Sequence, residues 1–126
     1  MKYIIAGGRD FDNIYIMAQV LDPFEKNITE VVSGTARGAD SIGEQWARGR
    51  DIPIKKFEPN WEQYGKSAGF IRNSEMGAYA DAAICFWNGK SAGTKHMIQT
   101  MKFQHKPYYV FNYQGEPIES GNFSER

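Results

Sequence analysis

The sequence predicts an α/β fold in which helices cover both faces of a central parallel sheet. Short apolar runs alternate with stretches whose apolar residues recur at helical spacing, from the start of the chain to about residue 111. Strands and helices that alternate in this way form parallel sheets, because each helix crosses over one face of the sheet. Several predicted strands also end in glycine-rich loops. We therefore expect a Rossmann-like three-layer sandwich with the strand order 3-2-1-4-5.

The predicted elements divide the chain into one domain and a short tail. Strands are expected at residues 3–6, 30–33, 53–57, 82–87 and 107–111, and helices at 14–21, 39–48, 67–79 and 94–102. We expect Asp12 to cap the first helix and Pro23 to end it. The run 82–87 is the most apolar, so its residues, Cys85 among them, should lie in the core. Residues 1–113 are predicted to form a single domain, followed by a polar C-terminal tail at 114–126.

Composition limits the classes of protein to consider. The chain has 126 residues, with 15 Lys and Arg against 15 Asp and Glu, and 41% are hydrophobic. This balance disfavours binding to extended nucleic acid or to a membrane surface. The single cysteine, Cys85, and the lack of a signal-peptide pattern favour a cytoplasmic protein. His96 and His105 are far apart with no cysteine partner, so we expect no metal site.

Three predicted strands end in loops of similar character. These loops are Gly7-Gly8-Arg9-Asp10, the segment from Ser33 to Asp40, and the segment from Asn88 to Thr94. Carboxyl ends of parallel strands meet at one edge of a sheet, where ligands bind. Glycine backbone, hydroxyl groups, cations and helix N-termini all favour a bound anion. One such loop is often only a tight turn, but three of them, each with a cation, predict an anion-binding crevice.

A fourth segment, Lys66-Ser67-Ala68-Gly69-Phe70-Ile71-Arg72-Asn73, should begin its helix near the same edge. The candidate ligand-binding residues are Gly7, Gly8, Arg9, Asp10, Ser33, Gly34, Thr35, Arg37, Gly38, Asp40, Arg72, Asn73, Trp87, Asn88, Lys90, Ser91, Gly93 and Thr94. Asp10 is the candidate catalytic residue, although it could equally bind a ribose hydroxyl or cap a helix. Asp40 follows Gly38-Ala39 at the expected start of a helix, which favours an N-cap. Trp61 could stack on a ligand ring or cover the core.

These loops resemble a known family. Gly7-Gly8-Arg9-Asp10-Phe11, Ser33-Gly34-Thr35-Ala36-Arg37-Gly38-Ala39-Asp40, Gly69-Phe70-Ile71-Arg72-Asn73 and Phe86-Trp87-Asn88-Gly89-Lys90-Ser91-Ala92-Gly93-Thr94 resemble motifs of the YspA/YpsA-related branch of the SLOG superfamily. The resemblance extends from about residue 3 to about residue 111. It implies a Rossmann-like fold and a nucleotide or nucleotide-derived ligand.

Two other branches of the superfamily sharpen the comparison. The segment from Val32 to Asp40 is similar to the signature that lines the DNA-binding pocket of DprA, although this chain is neutral. In the LOG phosphoribohydrolases, a catalytic glutamate follows a glycine-threonine loop. Gly93-Thr94 matches that loop, but Met97 stands where the glutamate would be.

The sequence therefore leaves two main hypotheses for function. In the first, the crevice captures a nucleotide-like small molecule, for sensing or sequestration. In the second, the protein hydrolyses an N-glycosidic or phosphate bond of such a molecule. Binding of single-stranded DNA, as in DprA, is a third and weaker alternative. The sequence identifies no cofactor, and a homo-oligomer is compatible with it.

Overall fold

The computed structural model describes residues 1–123, which form an α/β sandwich around a six-stranded sheet. The strands are β1 (Lys2–Gly7), β2 (Glu30–Ser33), β3 (Ile54–Lys56), β4 (Ala82–Phe86), β5 (Tyr108–Phe111) and β6 (Pro117–Gly121). The helices are α1 (Ile14–Leu21), α2 (Ala39–Gly49), the single turn α3 (Trp61–Tyr64), α4 (Ala68–Tyr79) and α5 (Ala92–Phe103). Two 3₁₀ segments, Asp22–Asn27 and Gly65–Ser67, follow α1 and α3. Within the described residues, no helix is long and apolar enough to cross a membrane.

The sheet has the order β3-β2-β1-β4-β5-β6, and β1 to β5 are parallel. The predicted order of the five parallel strands is therefore confirmed. From β1 the chain builds outward to β2 and β3, and then crosses to β4 on the other side of β1. The carboxyl ends of β1 and β4 flank the point where the direction of winding reverses. In open α/β sheets this point forms the binding crevice.

The core lies in two layers, one on each face of the sheet. Successive strand residues point to opposite faces, so Ile5 packs toward α1 and α2 while Ile4 packs toward α4 and α5. Trp46 of α2 is buried on the first face and Met97 of α5 on the second. Both layers are apolar, which explains why the central strands read as continuous hydrophobic runs.

The predicted core residues are confirmed. Ala82, Ala83, Ile84, Cys85 and Phe86 of the run 82–87 are fully buried, as are Ile5 and Val32 on the neighbouring strands, whereas Trp87 is half-buried. Burial also raises the pKa of the Cys85 thiol to about 12, so it stays protonated at neutral pH. The thiol therefore serves as a small core side chain.

The expectation of a polar tail from residue 114 needs correction. Residues 117–121 form β6, which pairs antiparallel with β5 and extends the sheet. The Tyr108 hydroxyl donates to a Glu119 carboxylate oxygen at 3.0 Å, and Lys102 lies 2.7 Å from the same carboxylate. The segment Pro117–Gly121 is an exposed edge strand with few apolar residues, so it lacks the alternation by which a strand is recognised. The last part of the expected tail, residues 124–126, lies outside the described residues.

Two predicted helix caps also need correction. Asn13, and not Asp12, caps α1, because its side-chain oxygen accepts the N–H groups of Tyr15 and Ile16, each at 3.0 Å. Gly38, and not Asp40, occupies the cap position of α2. The Asp40 carboxylate turns back to accept the N–H of Ala36 at 3.2 Å. Asn13 caps α1 with its side chain, whereas Gly38 has no side chain with which to cap α2.

The C-terminal end of α4 depends on one lysine. The Lys106 ammonium donates to the carbonyl groups of Gly77, Ala78 and Ala80, at 2.8, 3.1 and 2.7 Å. These carbonyls at the end of a helix have few partners within the helix and carry its negative dipole. Lys106 therefore fixes the position of α4, which carries Arg72 and Asn73.

We predict that Lys106→Met destabilises the protein by about 1.5–3 kcal/mol, the usual value of hydrogen bonds to a charged group. Urea unfolding should show a lower midpoint with an unchanged slope. Lys95→Met is the matched control, because Lys95 is an exposed lysine on the neighbouring helix. Equal midpoints for the two variants would show that Lys106 does not hold the end of α4.

Candidate functional site

A cleft of about 420 Å³ opens at the carboxyl edge of the sheet, at the winding reversal between β1 and β4. Many of the predicted residues line it: Gly7, Gly8, Arg9, Asp10, Asp40, Arg72, Asn73, Ser91, Gly93 and Thr94. Its other lining residues are Ala6, Ala36, Trp61, Lys66, Gly69, Phe70, Met76 and Met97. The loops after β1, β2 and β4 thus converge on one crevice with the start of α4, as the sequence predicted.

The loops after β1 and β2 meet through their backbones. The N–H of Ala39, at the start of α2, donates to the Gly8 carbonyl at 3.1 Å. Gly38 has φ +76°, and a Cβ there would lie 2.4 Å from the Gly8 carbonyl oxygen. Both the conformation and the contact exclude a side chain at this position. Gly38 is outside the cleft lining and acts by bringing the two loops together.

Arg72 and Asp40 form the polar floor of the cleft. The Arg72 guanidinium donates to the Gly34 carbonyl through Nη1 and to the Asn73 side-chain oxygen through Nε, the latter at 3.0 Å. The pKa of Arg72 is lowered by burial, although the negative charge of Asp40 opposes this shift. Gly34 is therefore not part of the cleft lining itself. Its carbonyl positions Arg72, which is.

Asp40 is the buried ionisable group of this floor. Its side chain is almost fully inaccessible, and burial raises the pKa of its carboxyl to about 7. The N–H of Ala36 and the cations Arg72 and Arg9 oppose this rise, while the nearby Glu44 adds to it. Near neutral pH, the carboxyl of Asp40 is therefore divided between its protonated and ionised forms.

Asn73 joins α4 to the start of α5. Its amide donates to the Gly93 carbonyl at 3.1 Å and lies 3.3 Å from Nδ1 of His96. The His96 ring is stacked on Phe70 at 4.4 Å between centroids, and burial lowers its pKa. Asn73 is buried, so it serves chiefly to fix the wall of the cleft.

The loop after β4 shapes the start of α5. Ser91 caps this helix, with its Oγ accepting the N–H of Thr94 at 3.3 Å. Asn88 accepts the N–H groups of Lys90 and Ser91 at 2.8 and 2.9 Å, and the Trp87 indole donates to the Ser91 carbonyl at 3.1 Å. Trp87 and Asn88 therefore order the loop from outside the cleft lining. Lys90 is exposed and also lies outside it.

Two aromatic side chains stand at the cleft with much of their surface exposed. Trp61 is 53% and Phe70 is 47% exposed. Large aromatic side chains are usually buried, so two in one cleft offer surface for a flat ring. The sequence suggested such a role for Trp61, and it placed the segment 66–73 near the same edge without selecting Phe70 or Lys66 as binding residues. Their closeness to Arg72 along the chain was the available signal.

The other predicted residues lie beside the cleft. The Ser33 hydroxyl is buried and donates to Glu44 at 2.5 Å. Thr35 and Arg37 line a second, shallower depression that shares Ala36 with the cleft. The remaining residues of this depression are Ser41, Glu44, Lys56 and Glu58.

Asp10 lies at the exposed end of the cleft lining, and one of its carboxylate oxygens accepts the Tyr113 hydroxyl at 2.5 Å. Met97, which the sequence resemblance placed where the LOG enzymes have their glutamate, is buried and lines the cleft. Within residues 1–123, no three His, Cys, Asp or Glu side chains are grouped as ligands for a metal ion.

Comparison with known proteins agrees with this architecture. The model of the YspA, cpYpsA-related SLOG family matches residues 1–64, which span β1 to α3 and carry two of the three strand-end loops. The chain is also 38% identical over 93 residues to the Gene 61 protein of Mycobacterium phage D29, covering 69% of this chain and 73% of that protein. The chain thus belongs to the YspA, cpYpsA-related SLOG family.

Proposed function

We propose that the protein binds a nucleotide or nucleotide-derived small molecule in the cleft at the winding reversal. One observation carries this proposal: the cleft combines anion-binding groups with exposed aromatic surface. Arg9, Lys66 and Arg72 supply positive charge, and the start of α5 adds the positive end of a helix dipole. Membership of a SLOG family also favours a nucleotide-related ligand.

In this proposal, the phosphate and the base occupy different parts of the cleft. The phosphate lies near Arg9 and the first turn of α5, because peptide N–H groups there lack partners within the helix. The base stacks on Trp61 or Phe70, whose faces are partly exposed. A cleft of about 420 Å³ is within the size range of small-molecule sites.

The second candidate function is hydrolysis of an N-glycosidic or phosphate bond in such a ligand. Asp40 is the observation that favours it, because a buried carboxyl with a pKa of about 7 is suited to proton transfer. Asp10 was the candidate from sequence, but it is exposed and held by Tyr113. Product analysis separates the two functions: a binding protein returns the nucleotide unchanged, whereas an enzyme releases base or phosphate and loses this activity in Asp40→Asn.

We predict that Arg9→Ala weakens nucleotide affinity by about tenfold to a hundredfold, the loss of a charge-assisted hydrogen bond of roughly 1.5–3 kcal/mol. Calorimetric titration with a panel of ribonucleoside mono- and diphosphates measures this. Because Arg9 is exposed, the melting temperature of the Arg9→Ala variant should differ little from that of the wild type. Arg48→Ala removes another exposed arginine, near the C-terminal end of α2, and is the matched control.

Arg37→Ala tests the neighbouring depression in the same titration. We expect Arg37→Ala to bind nucleotides with wild-type affinity, because this arginine lies outside the cleft lining. If Arg37→Ala loses affinity while Arg9→Ala does not, the phosphate binds in the depression and the proposed site is wrong. If no nucleotide of the panel binds the wild type, the proposed function is wrong.

We also predict that nucleotide affinity weakens as the pH rises through about 7. Deprotonation of Asp40 adds a negative charge to the floor of the cleft, and this charge repels a phosphate. The ligand phosphate itself ionises at about pH 6, which acts in the opposite direction. Asp40→Asn is uncharged at every pH, so the ratio of its affinity to the wild-type affinity cancels the ligand's own ionisation. That ratio should rise between pH 6 and pH 8; a constant ratio contradicts the role given to Asp40.

A further inference from the structure

A second carboxylate, besides that of Asp40, lies in the lining of a cleft that also contains the cations Arg9, Lys66 and Arg72. Asp10 is exposed, and its Oδ1 accepts the Tyr113 hydroxyl at 2.5 Å. Arg9, its chain neighbour, lines the same cleft. A carboxylate repels phosphate, so it does not contribute to binding the charged part of a nucleotide. Its presence there points to a different part of the ligand.

Tyr113 is held over the β1 loop by several contacts. A Cβ at Gly8 would lie 1.8 Å from its hydroxyl oxygen, so the tyrosine can occupy this place only above a glycine. Its ring packs edge-on against Phe11 at 5.3 Å between centroids. It lies on a tight turn between β5 and β6, in which Asn112 accepts the N–H groups of Gln114 and Glu116 at 3.0 and 2.9 Å.

The hydrogen bond between Tyr113 and Asp10 has a fixed direction. Burial and the nearby Asp10 charge raise the pKa of the Tyr113 phenol, so the phenol keeps its proton and donates. An ionised carboxylate only accepts hydrogen bonds. Tyr113 uses one acceptor position of Oδ1 and orients the group, which leaves Oδ2 available to a donor on the ligand. A ligand group that binds to Oδ2 therefore donates a hydroxyl or amino hydrogen.

We propose that Asp10, positioned by Tyr113, accepts a hydrogen bond from the ribose 2′-hydroxyl of the bound nucleotide, so that the cleft prefers ribonucleotides to 2′-deoxyribonucleotides. This inference rests on the proposed nucleotide-binding function. It assigns the ribose to the β1 loop, beside the phosphate at Arg9. The aromatic surfaces of Trp61 and Phe70 come from segments between β3 and β4, which leaves them for the base. In Rossmann dinucleotide-binding folds an acidic residue has this role toward ribose, although there it lies about 20 residues beyond the glycine-rich turn.

The test compares ADP with 2′-deoxy-ADP by calorimetric titration. The wild type should bind ADP about tenfold to a hundredfold more tightly, the usual value of a hydrogen bond to a charged group. Asp10→Ala should bind both nucleotides with nearly equal affinity. Tyr113→Phe keeps the ring and its packing but removes the donor, so the preference for ADP should fall severalfold. Tyr15→Phe, at an exposed tyrosine on α1, should leave the preference unchanged.

The outcomes separate this inference from the function on which it rests. If the wild type binds both nucleotides equally, or if Asp10→Ala keeps the full preference, Asp10 does not accept the 2′-hydroxyl, while the cleft still binds nucleotides. A preference for ADP over inosine diphosphate that disappears in Asp10→Ala would assign the carboxylate to the base and overturn the inference. If neither adenine nucleotide binds and the wider panel also fails, the proposed function fails as well.

Discussion

Two backbone segments approach each other closely at the centre of this fold, and the cleft depends on that approach. A Cβ on Gly38 would lie 2.4 Å from the Gly8 carbonyl oxygen, which accepts the first N–H of α2 at 3.1 Å. Any side chain at Gly38 would force the β1 and β2 loops apart. Because Asp40 is the second residue of α2, its position on the cleft floor also depends on this contact. The constraint therefore links the sequence of two loops to the geometry of the whole site.

The rest of the site is arranged around this contact by hydrogen bonds between distant parts of the chain. Arg72 of α4 donates to the carbonyl of Gly34 in the β2 loop, and Asn73 donates to Gly93 at the start of α5. The position of α4 in turn depends on Lys106, which binds the carbonyl groups at its other end. These polar groups are partly or fully buried and paired, so they hold the cleft open in a defined shape. The exposed groups, Arg9, Lys66, Trp61 and Phe70, remain available to a ligand.

The sequence was sufficient to predict the parallel sheet and the crevice, because both follow from local patterns. Strand and helix periodicity predicted the alternating elements, the usual topology of open α/β sheets predicted the order of five strands, and glycine-rich loops marked the edge where they converge. Side-chain direction was less predictable. Ser33 turns inward to Glu44 and Arg37 turns to a neighbouring depression, because a residue's position in a loop does not determine where it points. Asp40 resembles a helix cap in sequence, and only packing reveals that it is buried with a raised pKa. β6 was missed because an exposed edge strand needs few apolar residues.

The central claim is that a nucleotide occupies the cleft between the β1 loop and the starts of α4 and α5. The most direct measurement is titration of ¹⁵N-labelled protein with ADP while backbone amide shifts are recorded. If this claim is correct, we expect the largest shifts at six residues that line the cleft: Gly8, Arg9, Asp10, Gly69, Phe70 and Gly93. Saturable shifts confined to Thr35, Arg37 and Lys56, or to the β6 edge, would contradict it.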